Sequence, residues 1–234
     1  ALDATTLATQ ATSLQTAMTS TLANADADTA KAVADAAAAL PAKNAAATYV
    51  AVGAALMKNV AVGQNVVVSK PGLEVAATAA SASSLAGASY GSGASCAPYA
   101  ELADGFTLPG TSDTDVVSIA LTKSAAAPYG TVAPSGSTLT MEVLVNGASF
   151  DVSGLTVPIK LTLACDAGTG GCQFISAASP TWTASSEVTT SVVNGRTVCT
   201  TPHLTSFGTF GSSPASAVAV SVLVVVLAAL VQLV

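Results

Sequence analysis

The stretch Cys199-Thr200-Thr201-Pro202-His203-Leu204-Thr205-Ser206-Phe207 decides how this chain is read. It holds the only histidine in the sequence, two residues before Thr205 and four after Cys199. A threonine hydroxyl is a poor nucleophile until an adjacent base takes its proton. A histidine with an ordinary pKa of about 6.5 is largely neutral at pH 7 and can act as that base. Everything upstream reads as a scaffold for these residues, and everything downstream as a membrane tether.

Immediately upstream, Val188 to Val193 turns at Asn194-Gly195 and returns through Arg196 to Cys199. Asn-Gly supplies the two positive-φ positions of a tight hairpin turn. Leu139 to Val145, Asn146-Gly147 and Ala148 to Val152 repeat the pattern. Between the hairpins, Leu155 to Leu163 reads as a strand that Pro158 restricts to an edge or a bulge. Cys165 to Cys172 spans a glycine-rich loop. Val116 to Leu121, Val66 to Val68 and Val60 to Val62 are further branched runs with strand character. Residues 77–98, rich in Ala, Ser and Gly, read as a long surface loop carrying Cys96, and 125–136 as another loop. Short strands with this turn spacing predict a mainly β chain, an antiparallel sandwich over 63–211.

Residues 1–62 have a different texture. Leu7, Leu14, Met18 and Leu22 fall at spacings compatible with one helix face, with abundant Ala between them. The segment 24–28 breaks the pattern, and Asp28 can cap a second helix ending near Leu40, before Pro41. A third apolar helix is expected from about Lys43 to Val60. The alternative is a low-complexity Ala/Thr linker. At the other end, Ala215 to Val234 carries no charge. As a helix rising 1.5 Å per residue it would span about 30 Å, the hydrocarbon thickness of a bilayer. The expectation is a C-terminal hydrophobic membrane segment over 212–234. A single span and a GPI-attachment signal behind Gly211, Ser212 and Ser213 both fit.

Composition narrows the function classes. Charged residues make up 9% and aromatics 4% of the chain, and the net charge is −6. The seven Lys and Arg are scattered singly, so there is no basic patch for nucleic acid. Four cysteines, Cys96, Cys165, Cys172 and Cys199, form no Cys-x-x-Cys pair, and one histidine cannot complete a Cys2His2 zinc site. An even count ahead of a membrane segment suggests disulfides in an oxidising compartment; the alternative is free buried thiols.

Residues 172–210 resemble the GPS motif, the cleavage site within GAIN domains of adhesion-receptor and polycystin-type membrane proteins. The family shows a cysteine followed by an aromatic, a tryptophan about ten residues on, a second cysteine, then Cys-x-Cys-x-His-Leu-Thr-x-Phe. Here Cys172-Gln173-Phe174 matches the first element, Trp182 the second, and Cys199 the third cysteine. His203-Leu204-Thr205-Ser206-Phe207 reproduces the ending. The second cysteine is absent, and Thr201 stands where the fourth would be. The family pairs first with third and second with fourth, so the resemblance implies a Cys172–Cys199 disulfide and the loss of one whole bridge. Cys96 and Cys165, outside the motif, are left for a possible second bridge.

The resemblance also implies a fold and a chemistry. The sandwich would be similar to the family's β subdomain B, and 1–62 would correspond to its helical subdomain. His203 would take the Thr205 proton, and Thr205 would attack the Leu204 carbonyl. The resulting ester would hydrolyse, splitting Leu204 from Thr205, while Trp182 and Phe207 serve as structural anchors. The expected function is a membrane-tethered extracellular domain that cleaves itself once and keeps its fragments together, with no metal or cofactor. Its expected partners are the membrane and an unidentified extracellular ligand. The competing expectation is an uncleaved structural or adhesion domain at the cell surface. A hydrolase acting on other molecules is disfavoured, since no triad or Gly-x-Ser-x-Gly elbow is present.

Overall fold

The computed structural model describes residues 3–92, 97–129, 134, 136–163, 170–176 and 178–210. The expected C-terminal membrane segment and the expected Cys96–Cys165 pair lie outside these residues. Among the described residues, no helix is long and apolar enough to cross a membrane.

Three helices come first: α1 (Ala4–Leu22), α2 (Ala27–Ala37) and α3 (Ala42–Asn59). Their start signals are side-chain caps. Asp3 accepts a hydrogen bond from Thr6 N at 2.8 Å and Asp26 from Thr29 N at 2.7 Å. The cap of α2 is thus Asp26, not the expected Asp28, which lies in the first turn. Helix α2 also ends earlier than expected, at Ala37. Side chains from α3 tie down the α1–α2 connection. Lys58 Nζ donates to Ala23 O at 3.3 Å and Asn59 Nδ2 to Ala25 O at 2.9 Å.

The strands are β1 (Asn65–Lys70), β2 (Leu73–Ser81), β3 (Ser89–Gly91), β4 (Tyr99–Glu101), β5 (Val116–Ser124) and β6 (Thr138–Val145). They continue with β7 (Ala148–Ser149), β8 (Ile159–Thr162), β9 (Gly171–Ile175), β10 (Thr189–Val193), β11 (Arg196–Thr201) and β12 (Ser206–Phe210). One sheet has the order β1-β2-β5-β6-β12-β9, with β7 on β6; the other is β10-β11-β8-β4-β3. All the pairings between these strands are antiparallel.

The larger sheet is buried on both faces, with a different core on each. Val117, Ile119 and Leu121 of β5 and Leu139, Met141 and Val143 of β6 pack with Ile159, Leu161 and Cys199 of the smaller sheet. This is the sandwich core. On the opposite face, Val75 and Ala77 of β2, Ala120 of β5 and Leu144 of β6 pack with Tyr49, Val52 and Leu56 of α3. The alternation follows from the two-residue period of a strand. Tyr49 is fully buried and donates from its hydroxyl to Ala34 O at 3.1 Å. Burial, and secondarily the Asp35 charge, push its pKa up to about 12.

Several expectations need correction. Residues 73–81 form β2, so the loop expected over 77–98 begins only after a long buried strand. Ala77 is small because α3 lies close against this face of the sheet, not because it is in a loop. The 60–62 run forms no strand of its own; Val62 makes an isolated bridge to Ala79. The Pro158 strand starts only at Ile159, after the proline, and it lies between β11 and β4 rather than at an edge. Both Asn-Gly hairpins are present, with positive φ at Asn146, Gly147, Asn194 and Gly195.

Gly53 sets the distance between α3 and the sheet. A Cβ there would lie 3.1 Å from Thr122 Oγ1 and 3.2 Å from Ala120 Cβ. Gly53→Val should therefore push helix and sheet apart and cost about 1–3 kcal/mol, read as a lower urea midpoint with an unchanged slope.

Candidate functional site

The chain passes from the smaller sheet to the larger one through Pro202, His203, Leu204 and Thr205, between β11 and β12. The crossing is held along its length by backbone hydrogen bonds. Leu155 N donates to Pro202 O at 2.9 Å, and Leu204 N donates to Val152 O at 2.9 Å. Met141 N donates to Thr205 O at 3.3 Å. Thr201, where the family's fourth cysteine would stand, folds its hydroxyl back to donate to His203 O at 2.9 Å.

Both ends of the crossing are anchored. At its start, Cys199 of β11 is joined to Cys172 of β9, so the disulfide runs between the two sheets. At its end, β12 is paired on one side with β6 and on the other with β9. Phe207 is fully buried in the sandwich core, and Ser206 Oγ shares a 2.7 Å hydrogen bond with Thr140 Oγ1 on the opposite face. Trp182 packs against Phe210 with ring centroids 4.8 Å apart and planes tilted by 57°. It crosses above Gly208, where a Cβ would meet the indole at 3.0 Å. Thr183 bridges to Phe174 and carries the tryptophan segment alongside β9.

His203 and Thr205 flank the Leu204–Thr205 peptide bond but are not hydrogen-bonded to each other. The imidazole is half-buried, edge-on to Phe174 at 4.6 Å and stacked with Phe207 at 5.7 Å. Burial holds its pKa below the ordinary histidine value, while the Glu187 charge pulls the other way. The ring therefore stays neutral at pH 7, the form that accepts a proton. The Thr205 hydroxyl instead donates to Ile175 O on β9, at 2.5 Å.

The other side of Leu204 and Thr205 opens on a cavity of about 570 Å³. It lies between the C-terminal end of α3 and the helix-facing side of β6, and Met57, Lys58, Tyr129 and Glu142 line it together with Leu204 and Thr205. Glu142 is the feature that sequence reasoning missed. Its Oε2 is buried with no hydrogen-bond partner among the described residues. Desolvation raises its pKa from 4.5 to about 7. A carboxylate in the middle of the apolar run Leu139–Val145 was the available signal. Among the described residues, no group of three or more His, Cys, Asp and Glu could hold a metal ion.

No family model matches the chain. No curated protein matches it either. Among solved structures it is similar to the full extracellular region of zebrafish Gpr126/Adgrg6, with a TM-score of 0.57 at 16% identity. The likeness covers 83% of this chain and 32% of that one, so the chain spans about a third of that ectodomain. It is a likeness of fold.

Two outcomes follow from the geometry. The disulfide closes a sequence separation of 27 residues. By loop-closure entropy its removal in a Cys172→Ala/Cys199→Ala variant should cost about 3–4 kcal/mol, measurable by urea unfolding. Glu142 has a native pKa above its unfolded value, so the native state binds more protons between the two. Its contribution is full below about pH 4.5 and is lost as pH rises through about 7. Relative to Glu142→Gln, the wild-type protein should lose on the order of 1–3 kcal/mol between about pH 5 and pH 8, the partial exposure of the side chain limiting the size.

Proposed function

We propose that this chain is a GAIN-like extracellular module, tethered to a membrane through its 212–234 segment, that cleaves itself once between Leu204 and Thr205. The observation that carries the reading is the pinned crossing. A neutral imidazole and a hydroxyl flank one peptide bond, and that bond's segment is fastened to β11, β12 and the 152–155 backbone. The likeness of fold to a receptor ectodomain supports an extracellular setting.

The chemistry runs in two stages. Thr205 first gives up its hydrogen bond to Ile175 O by a rotamer change, and His203 accepts the hydroxyl proton. Oγ1 adds to the Leu204 carbonyl carbon, the C–N bond breaks, and the imidazolium returns its proton to the departing nitrogen. An ester now joins Leu204 to the Thr205 side chain, and water hydrolyses it. An amide is more stable than an ester, so the shift needs a driving force. Backbone distortion would supply on the order of 1–3 kcal/mol per residue, but the crossing has no cis bond and no positive φ, so irreversible hydrolysis of the ester draws the reaction forward. The process is single-turnover self-processing rather than catalysis on other molecules.

A second reading is an uncleaved structural domain. It is favoured by the Thr205 hydroxyl being committed to Ile175 O while the imidazole rests between two phenylalanines. Denaturing electrophoresis with C-terminal mass analysis separates the two. The expected result is a wild-type fragment ending at Leu204, absent from Thr205→Ala, with both fragments remaining in the membrane fraction until denaturation. An intact wild-type chain after prolonged incubation would leave only the structural reading.

A further inference from the structure

We propose that Glu142 is the base for the second half of this reaction, activating the water that hydrolyses the Leu204–Thr205 ester. The inference rests on the self-cleavage reading above and adds a residue that the motif does not contain.

Strand geometry places the two candidate bases on opposite sides of the crossing. Ser206 lies opposite Thr140 and Phe207 opposite Leu139, and Thr205 O accepts from Met141 N. The β12–β6 ladder ends at Ser206, and Leu204, held by Val152 O, lines the same cavity as Glu142 and Thr205. On β6, Leu139, Met141 and Val143 point into the sandwich core, whereas Leu144 points to the helices. Glu142 shares the parity of Leu144 and faces the helix side, where the cavity is. His203 packs against Phe207, which belongs to the sandwich core, and it is not among the residues lining the cavity. The cavity therefore gives water access to Glu142, Leu204 and Thr205 and not to His203.

The cavity suits that role. Its volume of about 570 Å³ holds several water molecules, each needing roughly 30 Å³. Among the described residues the ion pairs are Lys31–Asp28 and Lys70–Asp35, and neither involves Glu142. Its Oε2 has no protein partner among the described residues. The second carboxyl lining the cavity, Asp151, is exposed to solvent. With a pKa raised to about 7, Glu142 is a stronger base than an ordinary carboxylate and still substantially ionised at neutral pH.

The step balances without any further reagent. The Glu142 carboxylate takes one proton from water as the water oxygen adds to the Leu204 ester carbon. The bond from that carbon to Thr205 Oγ1 then breaks. The proton held by Glu142 passes to Oγ1, and the products are a Leu204 carboxylic acid and a free Thr205 hydroxyl and amine.

The test follows the full chain from cell-free synthesis at neutral pH, with and without hydroxylamine, by mass analysis of the new C-terminus. Hydroxylamine attacks esters directly and leaves a Leu204 hydroxamate. Glu142→Gln should slow spontaneous cleavage roughly 10²–10⁴-fold, the usual contribution of a general base. Hydroxylamine should restore cleavage in that variant. Glu142→Asp, which keeps the carboxyl, should regain part of the spontaneous rate and carries the comparison if the Gln variant fails to melt cooperatively. Spontaneous cleavage of Glu142→Gln at the wild-type rate overturns the role of Glu142 and leaves self-cleavage standing. So does a folded Gln variant that hydroxylamine cannot rescue, since the defect then precedes the ester. A wild-type chain cut only with hydroxylamine also rejects Glu142, while keeping the ester. A wild-type chain intact under both conditions rejects the ester chemistry and this inference together.

Discussion

The structure depends on one short passage between two sheets. Face-to-face sheets lie about 10 Å apart, and the chain makes the crossing with Pro202, His203, Leu204 and Thr205 alone. A passage this short has little slack. Pro202 removes one backbone freedom, and hydrogen bonds from Leu155 N and Met141 N take up the carbonyls of Pro202 and Thr205. The Cys172–Cys199 bridge adds a covalent tie between the same two sheets. It spans the interval that the crossing spans, so it limits how far the sheets can separate to relieve the passage. At the start of the passage the Thr201 hydroxyl braces the His203 backbone.

The central sheet solves a different packing problem on each face. Toward the sandwich it presents Leu, Ile, Met, Val and Phe. Toward the helices it presents Ala and Val with Leu73 and Leu144, and Gly53 of α3 is brought against Ala120 and Thr122. A chain with few aromatics fills its interior by close approach rather than by bulk, which is consistent with the density of protein interiors. Tyr49 is the exception, and its hydroxyl reaches the Ala34 carbonyl. Glu142 also sits on this face. The helices cover β2 and β5 more fully than β6, and the cavity is what remains beside the end of α3.

Much of this was legible in the sequence, for identifiable reasons. The two Asn-Gly hairpins declare themselves because the turn demands positive φ. Helices α1–α3 are marked by Ala content and by Pro41. The motif residues Cys172, Trp182, Cys199, His203 and Phe207 converge on β9, β11 and β12. Strand β2 was illegible because Ala-rich strands have the composition of loops, and the close approach of α3 that explains Ala77 is a tertiary contact. Pro158 misled in the other direction, since a proline just before a strand constrains nothing within it. At the site, spacing placed His203 and Thr205 around one bond but could not say where their side chains turn. The aromatic packing of one and the Ile175 contact of the other depend on β9, thirty residues away in the chain for Thr205. Glu142 was hidden because alternation labels its side of β6 as the polar face, and the burial comes from tertiary packing.

The placement of β12 has a mechanical consequence. It is an interior strand, laddered to β6 on one flank and to β9 on the other. Tension applied from the C-terminal side runs along its axis and loads the lateral hydrogen bonds in shear, so they share the force rather than open one at a time. Phe207 in the core and the indole of Trp182 against Phe210 add side-chain friction to that motion. Extraction would leave β6 and β9 as two raw sheet edges, each a template for another strand. The fold therefore sets a force threshold for losing β12, and it leaves behind a slot shaped for a replacement.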